Sequence, residues 1–221
     1  DLINKIAAGE VVERPASIVK ELMENSIDAG ASEIILTLEN SGLDSISVSD
    51  NGAGMDKEDA SRAVLQHATS KISKEEDLYH INTLGFRGEA LASIGSISDL
   101  YIHTYDGRTE PVLVKIRDGE KTVKAGPGRT QGTTIKASKI FSLVPARRKF
   151  LKSVATEYRY ILDTFINLAL TAKQIRFRLI KNGKVQLDLL ATESILNRIL
   201  DLNPAISNQD LIELNFEQPG Y

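Results

Sequence analysis

The amino-acid sequence predicts an α+β fold. Apolar residues recur with the helical period over residues 18–27 and 158–172, which predicts two amphipathic helices. Between residues 97 and 137, strand-like segments alternate with Asp-Gly and Gly-Pro-Gly turns, so consecutive strands are expected to pair antiparallel. The length of 221 residues suits one large domain or two small ones.

Composition narrows the possible functions. The chain has no cysteine, which excludes disulfides and cysteine-based zinc sites. The histidines, His67, His80 and His103, are too scattered to predict a metal cluster. No apolar segment is long enough to span a bilayer, so no membrane partner is expected. The net charge of -3 means that any DNA contact needs a local basic patch.

The helix that contains residues 21–30 carries the first candidate site. Pro15 suits its first turn, and the glycine at position 30 suits its end. Glu21 and Asn25 are one helical turn apart on one face, with Asp28 beside Asn25. A carboxylate there could deprotonate a water, and an amide oxygen could bind magnesium. From this helix alone, a solvated polar surface is the more common explanation.

Two predicted strands follow, at residues 33–38 and 45–50. The second ends at Asp50, where Gly52 and Gly54 allow a tight turn and the close approach of a ligand. An aspartate at this strand end could accept a hydrogen bond from an exocyclic amine such as that of adenine. An ordinary turn with a solvated aspartate is the alternative.

A helix is predicted next, over residues 57–67. Polar residues follow it, either as a helix cap or as the start of a mobile loop: Thr69, Ser70 and Lys71. Gly85 and Gly88 then frame a short loop that opens another helix at Glu89. Free backbone N–H groups at such a junction favour a polyphosphate, although the spacing fits neither a P-loop nor a Rossmann motif.

The remaining elements are short and well punctuated. Strands are predicted at residues 100–105, 112–116, 121–124, 133–137, 175–180, 185–190 and 211–216, and helices at residues 158–172 and 194–202. Asn182-Gly183 predicts a hairpin between two of the strands. The basic cluster at residues 145–152, which includes Arg147 and Arg148, suits either DNA phosphates or a solvated helix start.

Four segments in a fixed order, residues 21–30, 50–54, 85–91 and 132–134, resemble the nucleotide-binding motifs of the GHKL ATPase superfamily. Within that superfamily, further segments resemble signatures of MutL proteins: residues 6–15, 67–72, 85–94 and 145–150. The resemblance implies a Bergerat-type two-layer α/β sandwich, a mostly antiparallel mixed sheet with helices on one face.

The resemblance also assigns roles to residues. It implies that Glu21 is the general base for ATP hydrolysis and that Asn25 is a Mg2+ ligand. It implies that Asp50 and Thr133 recognise adenine, with Thr134 in place of Thr133 if the strand register differs. The other residues expected to contact ATP are Gly52, Gly54, Thr69, Ser70, Lys71, Gly85, Phe86, Arg87, Gly88, Glu89, Ala90 and Leu91.

At the level of the whole protein, the resemblance implies a slow ATP-driven switch in DNA mismatch repair. ATP would pair two N-terminal domains, and the partners would be a mismatch-recognition protein of the MutS type and, weakly, the DNA backbone. Residues 1–210 would form the ATPase domain, and residues 211–221 would begin the connection to a largely absent ribosomal S5-like subdomain.

Other expectations follow from the same resemblance. The protein would be cytoplasmic and nucleoid-associated in a bacterium, or nuclear in a eukaryote. The chain lacks an initiating methionine, so we expect a fragment of a longer protein. The alternatives are a nucleic-acid-binding module with a vestigial nucleotide site, or another GHKL ATPase.

Overall fold

The computed structural model describes residues 12–65, 89–142, 144–203 and 205–211. In these residues the helices are α1 (Pro15–Asp28), α2 (Lys57–Arg62), α3 (Ala90–Ile97), α4 (Pro145–Arg148), α5 (Val154–Thr171) and α6 (Ile195–Leu202). The strands are β1 (Glu33–Glu39), β2 (Ser45–Asp50), β3 (Asp99–Tyr105), β4 (Val112–Arg117), β5 (Glu120–Ala125), β6 (Gly132–Ser138), β7 (Arg176–Lys181) and β8 (Lys184–Leu189). Two 3-10 turns lie at Asn40–Gly42 and Asn208–Asp210.

The described strands form one 8-stranded sheet in the order β5-β4-β3-β6-β2-β1-β7-β8. Strands β1 and β7 pair in parallel, and the other neighbours pair antiparallel. The parallel pair is possible because α4 and α5 return the chain from β6 to the far side of β1. The predicted mostly antiparallel mixed sheet is therefore confirmed.

The core lies between one face of this sheet and the helices. Leu36, Val48, Ile135 and Ile102 are paired across β1, β2, β6 and β3, and all are buried. Helix α1 packs against α5 and β2. Because side chains alternate along a strand, the intervening residues face the other side, where most are half-buried or exposed, although Ser45 and Leu113 are buried. The two-layer sandwich predicted from the resemblance is confirmed.

Helix α1 begins and ends where local chemistry predicts. Pro15 occupies its first turn, and Gly30 follows its end with a φ of 70°. Ile18 and Leu22 are almost completely buried, so the apolar stripe faces the core. The helix is thereby fixed over β2, and the Ser26 hydroxyl donates to the Asp50 carboxylate at the end of that strand.

Local signals also predicted the β7–β8 hairpin. Asn182 and Gly183 have φ values of 49° and 72°, as expected for a two-residue turn with both central residues in the left-handed region. The helix predicted over residues 57–67 is shorter, because α2 ends at Arg62. Its remainder beyond residue 65 lies outside the described residues, and so does the strand predicted at residues 211–216 apart from its first residue.

Arg198 attaches α6 to the sheet although it carries a charge. The side chain is completely buried, and its Nη2 atom donates to the carbonyl oxygens of Lys173 at 2.7 Å and Ile175 at 2.8 Å. Burial lowers the pKa of the guanidinium. The Lys173 carbonyl oxygen also accepts from the Thr192 backbone N–H at 3.0 Å, so the buried contact with Ile175 is the one that loss of Arg198 affects most.

We expect Arg198→Ala to lower the free energy of unfolding by about 2–4 kcal/mol, because it creates a cavity and removes two hydrogen bonds to carbonyl groups, of which the one to Ile175 is buried. Arg198→Met keeps the volume and should cost less. Urea denaturation measures both. Arg117→Ala is the control, since that side chain is 74% exposed. Equal stability of the alanine variant and the parent protein would contradict the role of Arg198.

Candidate functional site

The apolar face of the sheet ends in a row of polar side chains. Asp50, Thr133 and Thr104 lie side by side on β2, β6 and β3. The same row continues into the buried residues Ile34 on β1 and Val112 on β4. Thr104 is completely buried and Thr133 is 7% exposed. Polar groups with so little exposure require hydrogen-bond partners. Their side-by-side arrangement on three neighbouring strands therefore indicates a candidate binding site.

The Asp50 carboxylate receives three hydrogen bonds. Its Oδ1 atom accepts from the backbone N–H of Gly52 at 2.9 Å and of Thr133 at 3.2 Å. Its Oδ2 atom accepts from the hydroxyl of Ser26 at 2.8 Å. A carboxylate offers about four acceptor positions, so with three hydrogen bonds from the described residues one position on Oδ2 is available to a ligand donor.

Burial raises the pKa of Asp50. The bonds from Ser26, Gly52 and Thr133 and the charge of Arg129 lower this pKa, but the effect of burial is larger. An ionised carboxylate that is largely removed from water favours an N–H donor. This arrangement suits the exocyclic amine proposed from the sequence.

Sequence reasoning did not single out Ser26. Its hydroxyl lies against both the Leu22 carbonyl oxygen, at 3.2 Å, and Asp50. The available signal was its position one turn after Leu22 on the apolar stripe, where a polar residue needs a partner. Ser26 links the helix that carries Glu21 and Asn25 to the strand that carries Asp50.

Gly52 and Gly54 are required by close backbone contacts. A Cβ atom at Gly54, where φ is 70°, would lie 1.9 Å from the Tyr105 carbonyl oxygen. A Cβ atom at Gly52 would lie 2.8 Å from the Ala29 carbonyl oxygen, which accepts from the Ala53 N–H at 2.9 Å. The turn after Asp50 therefore runs between the end of α1 and the end of β3.

Asn51, between these residues, has a structural role that the sequence analysis missed. Its Oδ1 atom accepts from the backbone N–H groups of Ser32 and Glu33, both at 2.9 Å, and its Nδ2 atom donates to the Ser32 hydroxyl at 2.8 Å. The side chain thus fixes the start of β1 beside the end of β2. The Asp-Asn-Gly sequence gave a turn signal but no indication of this partner.

Glu21, Asn25 and Asp28 lie along one face of α1 and are half-buried. The next carboxylate, Glu24, is buried and forms an ion pair with Lys20 at 2.9 Å. Asn25 adjoins Ser26 and therefore lies near the Asp50 end of the site. In the described part of the chain, no three His, Asp or Glu side chains are grouped to hold a metal ion. Magnesium usually keeps waters and phosphate oxygens as ligands, so a single amide oxygen is consistent with it.

The register decides between the two threonines. Thr133 is opposite Asp50 and on the same face of the sheet. Thr134 is opposite Ser49, and the two hydroxyl oxygens are 2.8 Å apart on the other face. The structure therefore brings Thr133, not Thr134, to the candidate site.

Other predicted ligand contacts are only partly described. Glu89 precedes α3, Ala90 begins it, and Leu91 is half-buried and packs against the core. The predictions for Thr69, Ser70, Lys71, Gly85, Phe86, Arg87 and Gly88 lie outside the described residues.

The two arginines of the basic cluster differ in environment. Arg147 donates from Nη1 to the carbonyl oxygen of the buried Val12 at 3.1 Å. Arg148 is exposed. The segment fixed by Arg147 leads into α1, where Arg14 also stacks over the Tyr160 ring at 4.5 Å. The cluster thus combines a structural contact with exposed positive charge.

Comparisons with known proteins identify the family of this chain. Residues 13–136 match the family of histidine kinase-, DNA gyrase B- and HSP90-like ATPases. The chain is 54% identical over 185 residues to the DNA mismatch repair protein MutL of Dictyoglomus thermophilum, covering 83% of this chain and 32% of that protein. It is 50% identical over 200 residues to MutL of Clostridium acetobutylicum, covering 90% of this chain and 32% of that protein.

Solved structures show the same fold. The Aquifex aeolicus MutL ATPase domain complexed with ADP superposes with a TM-score of 0.72 at 29% identity, covering 87% of this chain and 69% of that one. The N-terminal domain of a DNA repair protein gives a TM-score of 0.74 at 29% identity, covering 91% and 60%. This chain spans about a third, 32%, of the length of the curated relatives named above. It belongs to the family of histidine kinase-, DNA gyrase B- and HSP90-like ATPases and matches the ATPase region of MutL mismatch repair proteins.

Proposed function

We propose that residues 1–210 form an ATPase domain that binds ATP with Mg2+ and hydrolyses it slowly in a MutL-type DNA mismatch repair protein. The observation that carries the proposal is the half-buried, hydrogen-bonded Asp50 carboxylate. It retains one acceptor position beside a glycine turn and a helix that bears Glu21 and Asn25. The related Aquifex aeolicus domain was solved with ADP, which supports a nucleotide as the ligand.

Base recognition follows from the polar row. Asp50 would accept a hydrogen bond from the six-amino group of adenine, and Thr133 would contact the adjacent ring edge. The turn at Gly54 would lie beneath the base, as the resemblance to the family implies, while the missing side chain of Gly54 makes room for the Tyr105 carbonyl oxygen. The apolar residues of the same row exclude water and strengthen these bonds.

The groups for hydrolysis would come from the face of α1 that carries Glu21 and Asn25. Asn25 would bind Mg2+ through its amide oxygen, and the ion would neutralise charge on the phosphate oxygens. Glu21, one turn earlier on the helix, would accept a proton from the attacking water. Glu89, Ala90 and Leu91 at the start of α3 would contribute to the phosphate site, together with the preceding glycine loop.

At the level of the full protein, we propose that ATP binding drives pairing of two such domains and engagement of a MutS-type partner. The DNA backbone is a further proposed partner, because Arg148, Lys149 and Lys152 are exposed in one short segment. None of the helices in the described part of the chain has the length and apolar character of a bilayer-spanning segment.

We expect Glu21→Gln in the full-length protein to retain ATP binding and to lower turnover about 100-fold to 10,000-fold, the usual cost of losing a general base. Phosphate release and calorimetric titration measure the two effects separately. Glu24→Gln is the matched control, because Glu24 is on the same helix but pairs with Lys20. Turnover of Glu21→Gln at the parent rate would show that the base is another group.

Asp50→Ala should weaken ATP binding by about 1–3 kcal/mol, since Ser26 and the base amine would lose their acceptor. Preference for adenine over guanine nucleotides should fall as well, because the carboxylate disfavours a six-oxo group. Titrations with ATP and GTP test both expectations. Asp44→Ala, at an exposed turn, is the control. Unchanged affinity together with unchanged base preference would remove Asp50 from the site.

Arg148→Glu should weaken DNA binding for all sequences and reduce its salt dependence, because phosphate contacts carry no sequence information. Arg147→Glu should have a further effect on unfolding, since Arg147 also holds Val12. Fluorescence anisotropy with two unrelated duplexes at several salt concentrations measures the first effect. Arg117→Glu on β4 makes the same charge change as a control. Equal affinity and salt slope for Arg148→Glu and the control would exclude this surface.

A further inference from the structure

The chain contains two Asn-Gly sequences, Asn51-Gly52 and Asn182-Gly183, and both asparagines are exposed. A glycine after an asparagine favours a spontaneous reaction of the side-chain amide, because no side chain on the glycine hinders its backbone nitrogen. This nitrogen can attack the Cγ atom of the asparagine. The two sequences lie in turns of different construction, so the fold can give them different reactivity.

The reaction is a deamidation whose only co-reactant is water. Hydroxide removes the proton of the glycine N–H, the nitrogen forms a bond to Cγ, and the Cγ–Nδ2 bond breaks with release of ammonia. Water then adds to one of the carbonyl groups of the cyclic imide, and the ring opens to aspartate or isoaspartate. The attack requires an amide that can turn onto the glycine nitrogen and an N–H that hydroxide can reach.

The Asn51 amide cannot turn without losing three hydrogen bonds. Its Oδ1 atom accepts from the backbone N–H groups of Ser32 and Glu33, both at 2.9 Å, and its Nδ2 atom donates to the Ser32 hydroxyl at 2.8 Å. The Gly52 N–H donates to the Asp50 carboxylate at 2.9 Å, and Gly52 is buried. Both reacting groups are therefore held in place, and hydroxide has little access to them.

The Asn182 amide is held by a single hydrogen bond within the described residues. Its Oδ1 atom accepts from the Asn40 backbone N–H at 2.9 Å. Among the same residues the Gly183 N–H has no acceptor. Gly183 is exposed, and a Cβ atom there would meet no atom within 4 Å. Rotation of this amide therefore breaks one hydrogen bond, and the N–H is open to hydroxide.

We infer that Asn182 is a site of spontaneous deamidation, whereas Asn51 is protected by the hydrogen bonds of its turn. Isoaspartate at position 182 adds a methylene group to the backbone of the two-residue turn between β7 and β8. The turn then loses the φ values of 49° and 72° that close it. Strand β8 is at the edge of the sheet, separated from β2 by β1 and β7, so the hairpin should loosen while the Asp50 site stays intact.

Peptide mapping of the full-length protein by mass spectrometry, during incubation in mildly alkaline buffer, tests this inference. Residue 182 should deamidate about 10-fold to 100-fold faster than residue 51, the ratio expected when two fewer hydrogen bonds must break. Labelling by isoaspartyl methyltransferase identifies the isoaspartate product. In concentrated urea, where neither turn is held, the two rates should become similar. Equal rates in the folded protein would overturn the inference, and so would a difference that persists in urea.

Two variants test the source of the protection. Ser32→Ala removes the partner of the Asn51 Nδ2 atom, so the rate at residue 51 should rise about threefold to tenfold while the rate at residue 182 stays unchanged. Asn182→Asp is the matched control, because it removes the reactive amide of the hairpin and should leave the rate at residue 51 as in the parent protein. An unchanged rate at residue 51 in Ser32→Ala would overturn the protective role of these bonds. The comparison within the parent protein holds even if a variant does not fold.

Discussion

The structure depends on keeping the Asp50 carboxylate satisfied where it lies, at the end of an apolar sheet face. Burying a charged group is costly unless hydrogen bonds replace its hydration. The replacements come from three places: Ser26 on α1, Gly52 in the following turn and Thr133 on β6. One side chain therefore fixes the first helix, the glycine turn and a central strand relative to one another, and it still has capacity for a ligand.

Close backbone contacts at glycines join the same part of the fold as the hydrogen bonds of Asp50. At Gly132, where φ is 126°, a Cβ atom would lie 2.1 Å from the Asp50 carbonyl oxygen. The backbone at the start of β6 thus lies in close contact with the backbone of Asp50. A similar contact holds Gly54 against Tyr105. The pairing of β2, β6 and β3 therefore requires the same glycines as the candidate ligand site.

Local patterns predicted most element bounds and the positions of Asp50 and the α1 motif. Helix period, end signals and turn residues act over a few positions, so α1, β2 and the Asn182–Gly183 turn could be found in the sequence. The parallel pairing of Glu33 with Arg176 has no local signal, because it joins distant segments. Ser26 and Thr104 were missed for the same reason: their roles depend on register and on which face of the sheet they occupy.

Charge clustering has a comparable limit as a functional signal. Arg147 and Arg148 are adjacent and equally basic, and the sequence offers no reason to separate them. The structure does, since Arg147 donates to Val12 at 3.1 Å while Arg148 is exposed. Val12 leads directly into α1, so the basic turn is mechanically connected to the helix that carries Glu21 and Asn25. We therefore expect a change at Arg147 to affect α1 as well as any anion at the surface, whereas a change at the exposed Arg148 tests the surface charge.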